Sequence, residues 1–186
     1  MDQTEKGVAE VPLRKPIILS GLVLAVVVMG PTAAIGAAKG TGHYPLKGAS
    51  TGRPLKGAST GTNTVNLFTG GATNESSGHL SHLGRVTGNG VQTITLTGGN
   101  TFSFTGAGTT VAPNGDKLFA TTSGTGTLTS MGPATATTVN TITGGTGRFA
   151  GASGTFTVTS VSVPVSTVGS IETFAFTSTT KGQITY

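Results

Sequence analysis

The last two thirds of the chain alternate apolar and hydroxylated residues in short segments. Phe102 and Phe104 share one parity while Thr and Ser occupy the other, and Phe174 and Phe176 repeat this pattern. Because side chains alternate between the two faces of a β-strand, each segment has one apolar and one hydroxylated face. Turn signals rich in Gly, Asn and Pro separate the segments about every 8 to 12 residues, which is typical of a sandwich or barrel. No segment has a 3.6-residue apolar period long enough for a helix, so we predict an all-β domain.

All eight Phe of the chain lie in this region, and we expect them to fill a single interior. A closed barrel would also remove the exposed strand edges through which Thr-rich sheets aggregate. The interior of a small barrel is either filled by side chains or wide enough for one small ligand, and the sequence favours neither. The candidate ligand-binding residues are Phe102, Phe104, Phe156, Phe174 and Phe176.

The segment GGTGRFAG places a glycine-crowded turn directly before a strand. Gly144, Gly145 and Gly147 allow a positive φ or a close approach to another strand, which residues with a Cβ adopt only at a cost. Phe149 follows, and we interpret the segment as a corner that specifies the fold. A phosphate-binding loop is disfavoured, because the segment lacks the GK[ST] ending and opens a strand instead of a helix. A second turn of this kind is predicted at Asn114 and Gly115.

The N-terminus has the composition of a secretory signal peptide. Arg14 and Lys15 precede the apolar run Ile17–Met29, and small residues follow. We predict a signal peptide over residues 1–38, cleaved after Ala38, and a secreted product without stable membrane insertion. A retained membrane anchor is the alternative, but the apolar run is shorter than the roughly 20 residues that span a bilayer.

An exact repeat, PLKGASTG, follows at residues 45–52 and 54–61. Two copies are too few for a solenoid, which requires three or more. Because Pro and Gly dominate the repeat, we expect residues 39–61 to form a flexible leader. The folded domain is then expected over residues 62–186.

The composition and charge of the chain bear on how it is stabilised and on which molecules it binds. The chain of 186 residues contains no Cys and 9% charged residues, so its stability is expected to come from the sheet and core without disulfides. Beyond residue 38 there are eight basic and three acidic residues, a net charge of +5. The basic residues are spread singly, without the stripe and interleaved aromatics of nucleic-acid-binding proteins, so no nucleic-acid partner is expected.

Few residues are candidates for chemistry. His79 and His82 are three apart and on a strand would face opposite sides, so no metal site is predicted. Asp116 and Arg148 are candidates for a polar pair at one barrel mouth, either as a catalytic acid and cation or as corner fasteners. No serine has a nucleophile motif. We predict no catalytic residues and no cofactor.

Several of these motifs resemble bacterial exported members of the allene oxide cyclase and dirigent barrel group. They are NGD at Asn114–Asp116, ITGGTGRFAGASGTFTV at Ile142–Val158, KGQITY at Lys181–Tyr186 and HLGRVTG at His82–Gly88. The resemblance implies an eight-stranded antiparallel barrel of the calycin type with an apolar interior. Plant members are often trimers. This chain has no obvious large apolar stripe beyond the Phe face, so we expect a monomer or weak oligomer, with a trimer implied only by the resemblance.

The function predicted from these features is that of an exported, non-catalytic barrel with a small apolar ligand, a lipid or a phenolic, as its candidate partner. One alternative is a structural or adhesive surface protein. Rows of Thr could present a hydroxyl array to ice or polysaccharide, although no fixed short repeat would stack the rows in register. The second alternative, implied by the resemblance, is a cyclase-like or dirigent-like enzyme acting on an apolar substrate in the barrel.

Overall fold

The chain folds into a closed antiparallel β-barrel in a computed structural model that describes residues 52–129 and 133–186. Each strand pairs with the next along the chain, and the last pairs with the first. The all-β, eight-stranded antiparallel barrel predicted above is confirmed. The strands are β1 Arg53–Asn66, β2 Gly71–Leu80, β3 Gly84–Gly98, β4 Thr101–Val111, β5 Lys117–Thr127, β6 Ala134–Gly145, β7 Ser153–Val168 and β8 Ile171–Thr185, with one 3₁₀ turn at Gly147–Phe149.

The predicted flexible leader is wrong for its last nine residues, because β1 begins at Arg53 and not at Thr62. The second copy of PLKGASTG is therefore a barrel strand. Its Leu55 and Ser59 share the inward parity and are buried. β1 pairs with β8 over its whole length, which satisfies backbone groups that a flexible leader would leave to water. The predicted signal peptide and most of the first repeat copy lie outside the described residues.

The two ends of the barrel differ in chemistry. At one end lie the turns around residues 81–83, 112–116 and 146–152, together with Arg53, Arg85, Lys117 and Arg148. We call this the basic end. The other end carries the β1–β2 and β7–β8 turns, where Phe68 is 90% and Val168 77% exposed. We call this the apolar end.

Large interior side chains lie opposite glycines on the neighbouring strand. Phe102 pairs directly with Gly126 and Phe104 with Gly124, and a Cβ at either glycine would overlap the facing ring. The ring of Phe176 covers Gly61 in the same way. Thus many of the glycines of this chain are not turn residues. They provide the space that the interior aromatics occupy.

The prediction that all eight Phe fill the interior is wrong in part. Six are buried: Phe102, Phe104, Phe149, Phe156, Phe174 and Phe176. Phe119 is partly buried, and Phe68 projects from the β1–β2 turn into solvent. The Asn66 side chain holds that turn, because its Oδ1 accepts hydrogen bonds from the backbone N–H groups of Phe68 (3.0 Å) and Thr69 (3.2 Å). The turn therefore holds Phe68 outside the barrel interior.

Candidate functional site

The barrel interior consists of two apolar clusters separated by a polar layer. The cluster at the basic end includes Leu55, Leu118, Phe149 and Ile184. The cluster at the apolar end includes Val65, Ile94, Phe102, Phe104 and Phe174. On each strand that contributes to the layer, buried polar side chains lie between or beside residues of these clusters. The layer includes Ser59, Asn63, Gln92, Thr122, Asn140, Ser160, Ser162 and Ser178.

Alternation along the strands positions this layer. Asn63 shares the inward parity with Val65 on β1, Gln92 with Ile94 on β3, and Asn140 with Ile142 on β6. The strand geometry that turns the apolar residues inward therefore turns the amides inward as well.

Part of the layer is internally hydrogen-bonded. Thr122 Oγ1 donates to Asn140 Oδ1 at 2.8 Å, across the direct pairing of β5 and β6. The hydroxyls of Ser59 and Ser178 are 2.8 Å apart, across the pairing of β1 and β8. These bonds link neighbouring strands and fix the orientation of the Asn140 side chain.

The rest of the layer has unused hydrogen-bonding capacity. Both polar side-chain atoms of Asn63 and of Gln92, Nδ2 of Asn140, and the hydroxyls of Ser160 and Ser162 have no hydrogen-bond partner within the described ranges. These five residues are 0–6% exposed. A buried polar group left without a hydrogen bond costs about 1–3 kcal/mol, and in native proteins such groups are bonded to protein, ordered water or ligand. The layer is therefore suited to hold water or the polar groups of a small molecule.

A buried carboxyl lies on the apolar-end side of this layer. Glu172 is 2% exposed, and its Oε2 has no partner among the residues that the structure describes. It pairs with Val65 on β1, next to the apolar cluster. Burial raises the pKa of this carboxyl above its ordinary value of about 4.5, because the charged form loses its hydration. Glu172 was not among the site residues predicted from the sequence.

The five Phe proposed as ligand-binding residues do not form one apolar pocket. Phe102, Phe104 and Phe174 belong to the cluster at the apolar end, whereas Phe156 belongs to the cluster at the basic end. Phe176 lies next to Ser178 along β8. Only one pair among the five is in ring contact in the described structure, Phe102 and Phe104, with centroids 6.0 Å apart. The polar layer lies between Phe156 and the three Phe of the apolar-end cluster, and the prediction of a uniformly apolar interior did not include such a layer.

Asp116 and Arg148 come together at the basic end, as the sequence suggested. Asp116 Oδ2 accepts hydrogen bonds from Asn114 Nδ2 at 2.7 Å and from the backbone N–H of Arg148 at 3.1 Å. Arg148 Nε is 3.9 Å from the same oxygen. The guanidinium also donates to Leu83 O at 3.3 Å and lies 4.7 Å from the Phe149 ring centroid. The contacts of Arg148 with Asp116 and with Leu83 join three turns, which is the arrangement of a corner fastener.

The glycines of this corner act in different ways. Gly115 and Gly147 have positive φ, at 85° and 55°, and Gly144 has φ 139° beside a bulge in the β5–β6 pairing. Gly145 does not have a positive φ, so of the two predicted reasons for glycine only the close approach applies there. It is constrained by space, because a Cβ would lie 2.6 Å from Phe149 Cβ and would overlap Lys117 O.

The histidines are placed differently from the prediction. β2 ends at Leu80, and His82 lies in the following turn with φ 66°, so the two histidines are not on one strand. The Tyr186 hydroxyl donates to His82 O at 3.4 Å, which ties this turn to the C-terminus. Within residues 52–129 and 133–186, no group of three or more His, Cys, Asp or Glu could hold a metal ion.

The inward amides were detectable in the sequence but were not recognised. In TNTVNLF, VQTITLT and ATTVNTIT, each of the amides that face inward has the parity of a neighbouring apolar residue. These amides are Asn63, Gln92 and Asn140. The strand faces were predicted from Phe, Val, Thr and Ser, and no amide was predicted to lie in the interior.

Comparison of the chain with protein-family models, with curated proteins and with solved structures finds no match. The described part of the chain contains no helix of the length and apolarity that a membrane crossing needs.

Proposed function

We propose that this chain is a non-catalytic barrel that holds one small molecule, with apolar parts at its ends and a hydrogen-bonding group at its centre. The observation that supports this is the set of unpartnered amide and hydroxyl groups between two apolar clusters. A hydroxylated fatty acid or a phenolic has this distribution of polarity. The proposal narrows the apolar ligand expected from the sequence to an amphipathic one.

The chemistry of the layer favours binding over turnover. Amides and hydroxyls donate and accept hydrogen bonds but do not exchange protons readily near neutral pH. General acid–base catalysis needs a group whose pKa lies near the working pH and within reach of the substrate. Glu172 is the described acid nearest to the layer, at its apolar-end side. A cyclase-like or dirigent-like activity is therefore the second candidate, with Glu172 as its acid.

Export of the mature chain belongs to the same proposal. It rests on the basic start, the apolar run Ile17–Met29 and the small residues that follow in the sequence. Intact mass measurement of the protein recovered from culture medium tests it. A secreted chain that begins near residue 39 supports export, whereas a full-length chain in the membrane fraction contradicts it.

Native mass spectrometry of the purified barrel, followed by solvent extraction, tests for a resident ligand. The emptied protein is then titrated with a hydroxylated fatty acid and with a phenolic. Asn63→Leu and Asn140→Leu replace inward amides by apolar side chains of similar volume, and we expect each to weaken binding at least tenfold. Asn89→Leu, on the exposed face of β3, is the matched control and should bind normally.

Three outcomes would contradict the proposal. If neither probe binds, the interior is occupied by water or side chains and the barrel has another role. If the inward and control variants bind equally, the ligand does not use the polar layer. If a bound probe is chemically converted and Glu172→Gln stops the conversion, the protein is an enzyme.

A further inference from the structure

The outer surface of the barrel has two grooves, both lined by hydroxylated side chains. The first has a volume of about 530 Å³ and crosses β2, β1, β8 and β7, with Ser77, Thr60, Thr177, Thr179 and Thr159 along it. The second, of about 360 Å³, crosses β6, β5 and β4 and reaches Thr97 at the end of β3. Its hydroxylated lining is Thr97, Thr101, Thr125, Thr127, Thr135 and Thr137.

The two grooves meet at the pairing of β7 and β6. Val161 and Thr159 line the first groove, and their direct partners Thr135 and Thr137 line the second. One path therefore runs across seven neighbouring strands. We call it the hydroxyl groove.

Strand register places the groove side chains in rows. One row passes through direct cross-strand partners from β2 to β4: Ser77, Thr60, Thr177, Val161, Thr135, Thr127 and Thr101. A second row runs beside it through Thr179, Thr159, Thr137 and Thr125. Neighbours within a row are about 4.7–4.9 Å apart, and the rows are about two residues, or 6.6–6.8 Å, apart along the strands. The sequence has no short repeat that would align these hydroxyls in rows. The pairing of the barrel strands aligns them instead.

Charge limits what can occupy the groove. None of the six Lys and Arg residues in the described ranges lines either part, and no acid does. A polyanion would be attracted to the basic end instead, where Arg85, Lys117 and Arg148 lie. The groove presents only hydroxyls, methyls and backbone, so its partner should be uncharged and rich in hydrogen-bonding groups.

Shape limits the partner further. Adjacent strands in a sheet are rotated by about 20–25°, so a row that crosses seven strands winds around the barrel and is not planar. A flat ice or crystal face would contact only a part of it, whereas a single flexible polymer chain can follow it. Strand addition by a peptide is disfavoured, because the closed barrel has no free edge.

We propose that the hydroxyl groove binds a single chain of a neutral polysaccharide. The sugar hydroxyls would exchange hydrogen bonds with the Thr and Ser hydroxyls, and the Thr methyls would contact the apolar faces of the sugar rings. This surface is separate from the interior layer of the proposed function, and neither proposal depends on the other.

Affinity electrophoresis in gels that contain a soluble neutral glucan tests the proposal. The probes are hydroxyethyl cellulose, a mixed-linkage β-glucan, starch and dextran, each at low and high salt, with alginate as an acidic comparison. We expect retardation by at least one neutral glucan that salt does not weaken. The triple variant Thr60→Val, Thr177→Val, Thr135→Val keeps side-chain shape and strand propensity and should lower the affinity roughly tenfold or more.

Matched controls separate the groove from general effects. Thr73→Val, Thr93→Val and Thr105→Val remove three exposed hydroxyls outside both grooves and should leave retardation unchanged. Val161 is 43% exposed and lies where the two grooves meet. Val161→Arg should block glucan binding without removing a hydroxyl. This variant tests the groove if the triple variant does not fold. Asn63→Leu should not affect retardation, because it alters only the interior.

The proposal is overturned by any of four results. Retardation by none of the neutral glucans, or retardation by alginate alone that disappears in salt, would exclude this occupant. Equal loss in the groove and control variants would show a nonspecific effect. Freezing-point hysteresis without glucan binding would show that the hydroxyl groove binds ice and not a polysaccharide.

Discussion

The ring of Phe102 lies against the backbone of Gly126, its direct partner on the neighbouring strand, in the space that a Cβ at Gly126 would need. The same relationship joins Phe104 to Gly124. In both pairs the absence of a Cβ on the glycine leaves the space that the Phe ring occupies. The interior at the apolar end is therefore built from matched pairs, and each member constrains the other.

Gly126→Val should destabilise the barrel by about 1–3 kcal/mol, because the new side chain overlaps the Phe102 ring in a packed interior. Thr125→Val, on the exposed face of the same strand, should change stability by less than about 0.5 kcal/mol. Urea denaturation measures both. In the double variant Phe102→Ala, Gly126→Val, the cost should be less than the sum of the single costs, since the small residue makes room. Additive costs would show that the two residues are not packed as a pair.

Asp116→Ala should destabilise the basic end by about 1–3 kcal/mol, because the Arg148 N–H and the Asn114 amide lose their acceptor. Glu75→Ala removes the same charge from an exposed position on β2 and serves as the control. Thermal denaturation of the two variants compares them. Equal stability would mean that the 112–116 and 146–152 turns do not depend on this carboxylate.

Gly147→Ala should cost more than Gly151→Ala. Both glycines have positive φ, 55° and 78°, so each substitution carries the left-handed penalty of about 1–2 kcal/mol. A Cβ at Gly147 would also overlap the Asp116 carboxylate, whereas no atom lies within 4 Å of one at Gly151. Urea midpoints give the difference, and the extra cost at Gly147 should shrink in the Asp116→Ala background. If Gly151→Ala were the more costly change, the predicted overlap would not govern this corner.

Glu172 should make the barrel less stable as the pH rises. Its folded-state pKa is raised by burial, so the folded state binds the proton more tightly than the unfolded state. The stability from this group is complete below about pH 4.5 and is lost as the pH rises through the folded-state pKa. Glu172→Gln should equal the wild type in acid and exceed it at neutral pH, as measured by urea unfolding across pH. Glu75→Gln should not alter this pH dependence, and an unchanged slope in Glu172→Gln would contradict the prediction.

The strand pattern was largely predictable from the sequence, because alternation such as that of Phe102, Ser103 and Phe104 depends only on local geometry. The start of β1 was not predictable, because Arg53–Gly61 has the Pro and Gly content of a linker. Its strand conformation depends on pairing with β8, which lies more than a hundred residues away. The polar interior was missed for a similar reason. An inward Asn63 or Gln92 is unfavourable in isolation, and only the assembled barrel shows what surrounds it.

Closure of the barrel through β1 and β8 determines when the chain can fold. The pairing joins residues 53–66 to residues 171–184, so it has nearly the greatest sequence separation that the domain allows. Contacts of such separation form late and slow the folding of a chain, because the loop between them must be closed first. Until the fifteen residues of β8 are available, β1 lacks one partner and β7 lacks another, and both present open edges. A nascent chain whose β8 has not yet left the ribosome would therefore remain an open sheet, and the barrel would close only after β8 had emerged.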